Sequence, residues 1–132
     1  MSFSSRMPAL ALAFGLIATG PALAEPCGAD SQPSPASHDA ASIQFWNGTD
    51  FPNDVLWSDF RGGLKSYGSL SPDEGKDQQT YAGHVWYVEV DTPQGRQCVG
   101  PVAVSRRGGE CQVFIKRAGG RFTMKAQGDC EF

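Results

Sequence analysis

Residues 77–90, DQQTYAGHVWYVEV, form the stretch on which the fold assignment depends. The stretch is rich in aromatic and β-branched residues, which is typical of a β-strand. Read as one strand, it places two sets of side chains on opposite faces: Thr80, His84 and Trp86 on one, Tyr81, Val85 and Tyr87 on the other. The stretch therefore predicts a strand in which His84 is either a packed core residue or the polar centre of a pocket.

Similar short runs lie on both sides of this stretch, separated by turn residues at intervals of about eight to twelve positions. The runs are SIQFW (42–46), DVLWSDF (54–60), LKSYGSL (64–70), RQCVGPVAV (96–104), CQVFIKR (111–117) and RFTMKAQ (121–127). No stretch keeps an apolar stripe at helical spacing over three turns, and glycine and proline recur too often for a helix. These features predict an all-β domain of about seven short antiparallel strands in a sandwich or partly closed barrel.

The first 24 residues have the layout of a secretory signal peptide. Arg6 precedes a short apolar run, and ALA at 22–24 is a small-residue cleavage site. The run is too short for a membrane span. Residues 25–41, rich in proline, serine and alanine, predict a flexible leader, and residues 42–132 are then the β-sandwich domain. The mature protein is expected to be secreted or periplasmic.

The charge of the chain argues against two classes of partner. Lys and Arg number 11 against 14 Asp and Glu, a net charge of −3, and removal of the signal peptide with Arg6 makes the chain more acidic. Neither a nucleic acid nor an anionic membrane surface would meet a basic field on such a protein. We therefore expect no nucleic-acid and no membrane partner.

All four cysteines follow the signal peptide, and an even number in a small exported chain favours two disulfides. Three pairings are possible. Cys111 with Cys130 is favoured because the two residues flank a candidate hairpin, which leaves Cys27 for Cys98. The alternative, a metal site, is disfavoured because no pair has the close spacing that zinc requires and His84 has no partner nearby. We expect no metal and no cofactor.

The triplet Asn47-Gly48-Thr49 matches the acceptor pattern for N-glycosylation. The pattern is short and common. Asn-Gly in a hairpin turn has a complete structural explanation, because such turns require positive φ angles. The sequence favours the turn.

No group of residues in the sequence marks a catalytic site. Thr80 and His84 could meet, but no local pattern indicates a nucleophile with an oriented base. The carboxylates mostly lie in or next to turns, where solvation and capping are their usual roles. An enzyme is therefore not expected.

An aromatic and polar cluster is the main candidate for a binding site. Its members are Trp57, Tyr67, Thr80, His84 and Trp86. One strand face could present an aromatic wall with a hydroxyl and an imidazole. Val88 and Val90 share the parity of Trp86, however, so the same face could equally be the buried one. The pattern leaves both interpretations open.

The run from Ile43 to about Val104 resembles the β domain of the von Hippel-Lindau tumour suppressor (VHL). The resemblance rests on IQFWNGTDFPNDVLWSDFRGGLKSYGSLSPDEG (43–75) and TYAGHVWYVEVDTPQG (80–95). The family has the same order of an aromatic and Asn before a turn, a Val-x-Trp strand, a Tyr before a Leu and a Pro-rich turn, and Ser-Tyr-x-Gly-His-x-Trp. Thr80 stands where the family has the serine, which keeps the hydroxyl.

The resemblance implies a VHL β-domain-like sandwich and a ligand. In that family this face binds 4-hydroxyproline within a peptide. Carried over to this sequence, Trp57, Tyr67 and Trp86 would wall the pyrrolidine ring, and Thr80 and His84 would hydrogen-bond its hydroxyl. Tyr67 would also reach a peptide carbonyl.

The family's helical domain, which recruits a ubiquitin-ligase adaptor, has no counterpart in the sequence. We therefore expect no ubiquitin-ligase adaptor as a partner. The leading hypothesis is a secreted, non-enzymatic domain that binds a peptide or small ligand, with a hydroxyproline-containing peptide as the ligand that the resemblance implies. The alternative is a structural or protein-interaction module with no small-ligand pocket.

Overall fold

The computed structural model describes residues 25–28 and 30–132, so the predicted signal peptide lies outside the described residues. In the described part, the chain forms nine β-strands and no helix. The strands are β1 Ala40–Gly48, β2 Asn53–Ser58, β3 Leu64–Leu70, β4 Gly75–Tyr81, β5 Val85–Thr92, β6 Gly95–Val104, β7 Gly109–Ala118, β8 Arg121–Gly128 and β9 Cys130–Glu131. Within these residues there is accordingly no helical segment of the length and hydropathy needed to cross a membrane.

The nine strands form two sheets that pack face to face as a β-sandwich. One sheet has four strands in the order β4, β1, β7, β8, and the other has five in the order β3, β2, β5, β6, β9. Strands β1 and β7 run parallel, with Ile43 opposite Cys111, and all other neighbouring strands are antiparallel. The prediction of an all-β sandwich is confirmed.

The core lies between the two sheets because alternate residues of each strand point into that space. In β1, Ile43 and Phe45 are buried whereas Trp46 is exposed on the outer face. Val88 of β5 and Val113 of β7 are likewise buried, one from each sheet. Full burial of such a side chain contributes about 1.5 to 3 kcal/mol, so the alternation decides which face of each strand turns inward.

The stretch 77–90, predicted as one strand, is two strands that belong to different sheets. Strand β4 ends at Tyr81 and β5 begins at Val85, with a tight turn between them. Gly83 has a φ of 80°, a conformation that favours glycine, and its N–H donates to the carbonyl of Val104. The prediction of a single strand is therefore wrong, because the chain crosses from one sheet to the other at this corner.

Residues 31–39, predicted as part of a flexible leader, lie against the five-stranded sheet in an extended conformation. Ser34 is buried, its N–H donates to the carbonyl of Asp59, and its hydroxyl accepts from the N–H of Val85 at 2.8 Å. The N–H of Gln32 donates to the hydroxyl of Tyr87 at 2.9 Å. Polar composition predicts flexibility, whereas these specific hydrogen bonds fasten the segment to the domain.

Two disulfides are present, and their pairing is the one that the sequence favours. Cys27 bonds to Cys98 of β6, and Cys111 of β7 bonds to Cys130 of β9. The first fastens the N-terminal segment to the five-stranded sheet. The second joins the two sheets, because β7 and β9 belong to different sheets. Each bond restricts the unfolded chain and so stabilises the fold.

Asn47 and Gly48 lie at the end of β1, not in a hairpin turn, so the prediction of a turn is wrong. Asn47 is 0 % exposed. Its Nδ2 donates to the carbonyls of Phe51 and Leu70 at 2.8 and 3.0 Å, and its Oδ1 accepts from the N–H of Thr49 at 2.9 Å. The side chain therefore links three segments of backbone, and its burial leaves no room for a glycan in the folded protein.

Candidate functional site

A cleft of about 190 Å³ opens where the corner between β4 and β5 meets strands β2 and β3. Eight residues line it: Trp57, Phe60, Tyr67, Gln79, Thr80, Tyr81, His84 and Trp86. All five binding residues predicted from the sequence are among them. Trp57 comes from β2, Tyr67 from β3, Thr80 from β4, His84 from the corner and Trp86 from β5.

The corner brings the two polar residues of the cleft together. The N–H of His84 donates to the carbonyl of Tyr81, which closes the turn, and the N–H of Ala82 donates to the carbonyl of Asp39. A β-carbon at Gly83 would lie 3.1 Å from Cγ of Pro35, so the glycine also lets the N-terminal segment approach. Thr80 on one sheet and His84 beside the other therefore face the same cleft.

Thr80 and His84 are each held by an indole. The Nε1–H of Trp86 donates to Oγ1 of Thr80 at 3.1 Å, and the Nε1–H of Trp57 donates to Nδ1 of His84 at 3.1 Å. A hydroxyl has one hydrogen to donate, so Thr80 keeps its donor for another partner. Because Nδ1 of His84 accepts a hydrogen bond, the neutral imidazole carries its hydrogen on Nε2.

Burial keeps His84 in its neutral form. Desolvation lowers the pKa of His84 below the ordinary histidine value of 6.5. The backbone of Pro35 is close enough to oppose this shift slightly, but the buried Nε2 makes no hydrogen bond of standard geometry. At neutral pH the imidazole is therefore uncharged, as an acceptor at Nδ1 must be.

Aromatic rings surround the imidazole and extend the wall outward. The rings of Trp57 and Phe60 each lie 5.7 Å from that of His84, centroid to centroid, and the ring of Tyr81 lies 5.4 Å away. The ring of Tyr67 packs edge-on to Trp86 at 5.2 Å. Such spacing is that of favourable aromatic contacts, so the walls support one another without a ligand.

The cleft has an exposed rim and a buried floor. Phe60, Tyr67 and Tyr81 are 59 %, 40 % and 46 % exposed, whereas Thr80 and His84 are only 5 % and 4 % exposed. Trp86 is 1 % exposed and packs on Phe45 in the core. The two interpretations of the pattern thus each describe part of the cluster, since Trp86 is a core residue and Tyr67 is a surface residue.

Three further residues of the cleft were not predicted as site residues. Phe60 follows β2, and no periodic signal distinguishes it from other loop residues. Gln79 and Tyr81 are outside the predicted set because the single-strand interpretation placed Tyr81 opposite His84. The turn at Ala82–His84 instead places the rings of Tyr81 and His84 on the same side, and both line the cleft.

The hydrogen bonds of Thr80 and His84 limit what the cleft can do chemically. Thr80 and His84 each hydrogen-bond to an indole instead of to each other, so they do not form a nucleophile and base pair. Within residues 25–28 and 30–132 no group of three or more His, Cys, Asp or Glu is placed to hold a metal ion. What the cleft offers is a ring-sized apolar slot with two polar groups at its floor.

The family model of the VHL beta domain matches residues 33–95, which include most of the N-terminal segment 31–39, β1 to β5 and every residue of the cleft. The chain is a VHL β-domain-like protein. A comparison with curated proteins finds no match. The VHL β domain is a binding and substrate-recognition domain, so the family indicates a binding module. In this VHL β-domain-like chain, the matched region ends before β7, β8 and β9. The disulfide-bonded residues Cys98, Cys111 and Cys130 also lie beyond it.

Proposed function

We propose that the cleft binds a peptide by enclosing one proline-type ring, and that 4-hydroxyproline is the residue it selects. The observation that carries this proposal is the pair of indole hydrogen bonds to Thr80 and His84 at the floor of an aromatic slot. These bonds orient both polar groups before any ligand arrives. Preorganisation of this kind reduces the cost of binding.

The hydroxyl of the ligand exchanges hydrogen bonds with both polar groups. Thr80 accepts from Trp86 and donates its own hydrogen to the ligand oxygen. The ligand hydroxyl donates to Nδ1 of His84 and takes the place that the Nε1–H of Trp57 holds in the ligand-free cleft. At Nδ1 of His84 one hydrogen bond replaces another, so the acceptor stays paired, and the Nε1–H of Trp57 is displaced by either ring.

Unmodified proline meets a penalty at the same position. A ring without a hydroxyl would break the hydrogen bond between Trp57 and His84 and would offer Nδ1 of His84 no donor in its place. An unpaired buried polar group costs about 1 to 3 kcal/mol, which corresponds to a preference for hydroxyproline of about fivefold to 150-fold. Entry requires the exposed rings of Phe60, Tyr67 and Tyr81 to turn aside, and Tyr67 is then placed to contact a backbone carbonyl of the peptide.

Titration calorimetry with two peptides of identical sequence, one carrying proline and the other 4-hydroxyproline, tests the proposal. We expect tighter binding of the hydroxylated peptide. Thr80→Ser keeps the hydroxyl and should keep the preference, whereas Thr80→Val removes the hydroxyl and should abolish it. Gln94→Ala, in the exposed turn between β5 and β6, is the control. Equal binding of both peptides, or binding of neither, would refute the proposal.

A structural role is the second candidate, and the burial of Thr80, His84 and Trp86 favours it. Under this alternative the floor residues stabilise the junction of the two sheets and meet no ligand. His84→Ala separates the two candidates. Peptide binding by the wild type that is lost in a His84→Ala variant still folded at the assay temperature supports the binding site, and a lower melting temperature with no binding by the wild type supports the structural role.

We also propose that the protein acts outside the cytoplasm as a secreted or periplasmic domain comprising residues 25–132. The two disulfides support this location, because such bonds persist in oxidising compartments. Fractionation of cells that express the full chain checks it. Recovery of a reduced, full-length chain in the cytoplasm alone would exclude export.

A further inference from the structure

The outer surface of the four-stranded sheet carries an ordered aromatic and amide surface that we call the Trp46 face. Its residues lie in rows set by the strand register. One row holds Gly75, Trp46, Phe114 and Lys125, and the next holds Asp77, Gln44, Gln112 and Gln127. Trp46 is 43 % exposed although Phe114 lies beside it. The exposed indole and the amide side chains in the next row are therefore open to a ligand.

Two glycines keep the indole of Trp46 open. A β-carbon at Gly75 on β4 would lie 2.8 Å from Cε3 and 3.3 Å from Cζ3 of the indole, so the six-membered ring extends over this glycine. At Gly48, two positions along β1 on the same face, a β-carbon would come within 4.0 Å of the ring. Because neither position has a side chain, no neighbour on these two sides covers the ring.

A cleft lies on each side of Trp46. The first, of about 400 Å³, is lined by Gln44, Asp77 and Gln112 among others and includes Lys76. The second, of about 330 Å³, is lined by Gly48, Lys116, Lys125 and Gln127 together with the two aromatic rings. The second cleft has two ammonium groups and no carboxylate in its lining. This is a local positive site on a chain whose net charge is −3.

The amides of the face form a donor and acceptor pair. Nε2 of Gln127 donates to Oε1 of Gln112 at 2.7 Å across β7 and β8. Each amide keeps further hydrogen-bonding capacity, since an amide has two donor hydrogens and an acceptor oxygen. Vicinal hydroxyl groups are suited to such a pair because each hydroxyl both donates and accepts.

We propose that the Trp46 face binds an acidic polysaccharide, with one uronate ring stacked on the indole of Trp46. The apolar face of the pyranose covers the indole, and its carboxylate pairs with Lys116 and Lys125. Hydroxyls of the same and the next sugar bond to Gln127 and Gln112. The charge of the second cleft selects an anionic sugar over a neutral one, and the flat open ring suits a sugar better than an apolar peptide side chain. This site shares no lining residue with the cleft at His84.

Titration of the whole mature protein with a hexamer of galacturonate, and with a neutral galactose hexamer as the comparison, tests the proposal. We expect binding of the acidic hexamer that weakens as sodium chloride rises to about 0.5 M, because salt screens exposed charge pairs. Trp46→Ala should reduce the affinity about tenfold or more. Lys125→Gln and Lys116→Gln should each reduce it about threefold to fivefold.

Gly75→Ala is a sharper variant because it removes none of the side chains that are proposed to contact the sugar. The added methyl group displaces the indole, so affinity should fall while the far-UV circular dichroism stays unchanged. Phe60→Ala, at the other cleft, is the matched control and should have no effect on the sugar. The proposal is overturned if the neutral hexamer binds equally well or if Trp46→Ala binds as the wild type does. Binding of a single-stranded DNA oligomer in preference to the sugar, or no binding of either hexamer, overturns it as well.

Discussion

Trp57→Phe removes the indole hydrogen that holds Nδ1 of His84 and keeps an aromatic ring in the wall. His84 is 4 % exposed, so water cannot readily replace the lost donor at 3.1 Å. An unpaired buried acceptor costs about 1 to 3 kcal/mol. For a domain of this size, each kcal/mol lowers the melting temperature by roughly 4 to 8 °C. The substitution should therefore lower the stability measurably.

A double-mutant cycle isolates this hydrogen bond from the change in ring volume. Trp57→Phe, His84→Leu and the double variant are unfolded in urea and followed by far-UV circular dichroism. Because the double variant has neither donor nor acceptor, the two single costs should exceed the double cost by about 1 kcal/mol. Trp46→Phe, on the outer face of the other sheet, serves as the control for a tryptophan to phenylalanine change.

Additivity of the two substitutions would refute the reasoning. If the single costs sum to the double cost within about 0.3 kcal/mol, the bond between Trp57 and His84 contributes nothing to the fold. The imidazole would then not be oriented before ligand binding, and the preorganisation argument for the cleft would fail with it.

Two further predictions concern pH and Asn47. The pKa of His84 is lowered in the folded protein relative to about 6.5 in the unfolded chain, so the unfolded chain takes up a proton that the folded protein does not. The stability that this difference provides above pH 6.5 is therefore lost as pH falls toward the folded pKa. The melting temperatures of the wild type and His84→Leu should converge as pH is lowered from 7.5 to 5. A constant difference between the two melting temperatures would contradict this. Asn47→Ala removes donors to two buried carbonyls and should cost roughly 2 to 4 kcal/mol in urea unfolding, whereas an unchanged unfolding midpoint would show that water replaces the side chain.

Much of the fold follows from patterns that are local in the sequence. Strand β3 has the bounds Leu64–Leu70 that its residue pattern predicts, because glycines precede it and a Ser-Pro-Asp turn follows it. The hairpin of β7 and β8 is predicted by the glycines at 119 and 120 between two alternating runs. In both cases the residues that end a strand are adjacent to it in the sequence, so the bounds of the strand can be predicted from local residues alone.

Features that depend on distant partners could not be predicted in this way. The turn at Gly83 changes sheet because its N–H finds the carbonyl of Val104, and Asn47 is a buried linker because Phe51 and Leu70 present carbonyls to it. Strand β9, only two residues long, exists through pairing with β6. For the candidate site, the resemblance predicted the five residues that meet, but not that two of them already bond to indoles.

The parallel pairing of β1 with β7 has a consequence for how the chain is made. Ala41 lies beside Gly109 and Gly48 beside Lys116, so the first strand is flanked on one side by residues that are synthesised well after it. Until those residues emerge, β1 has only β4 as a neighbour, and its second edge is open to any other extended chain. Nascent chains of this protein therefore need an assembly step in which β7 pairs with β1 before the first strand is protected on both edges.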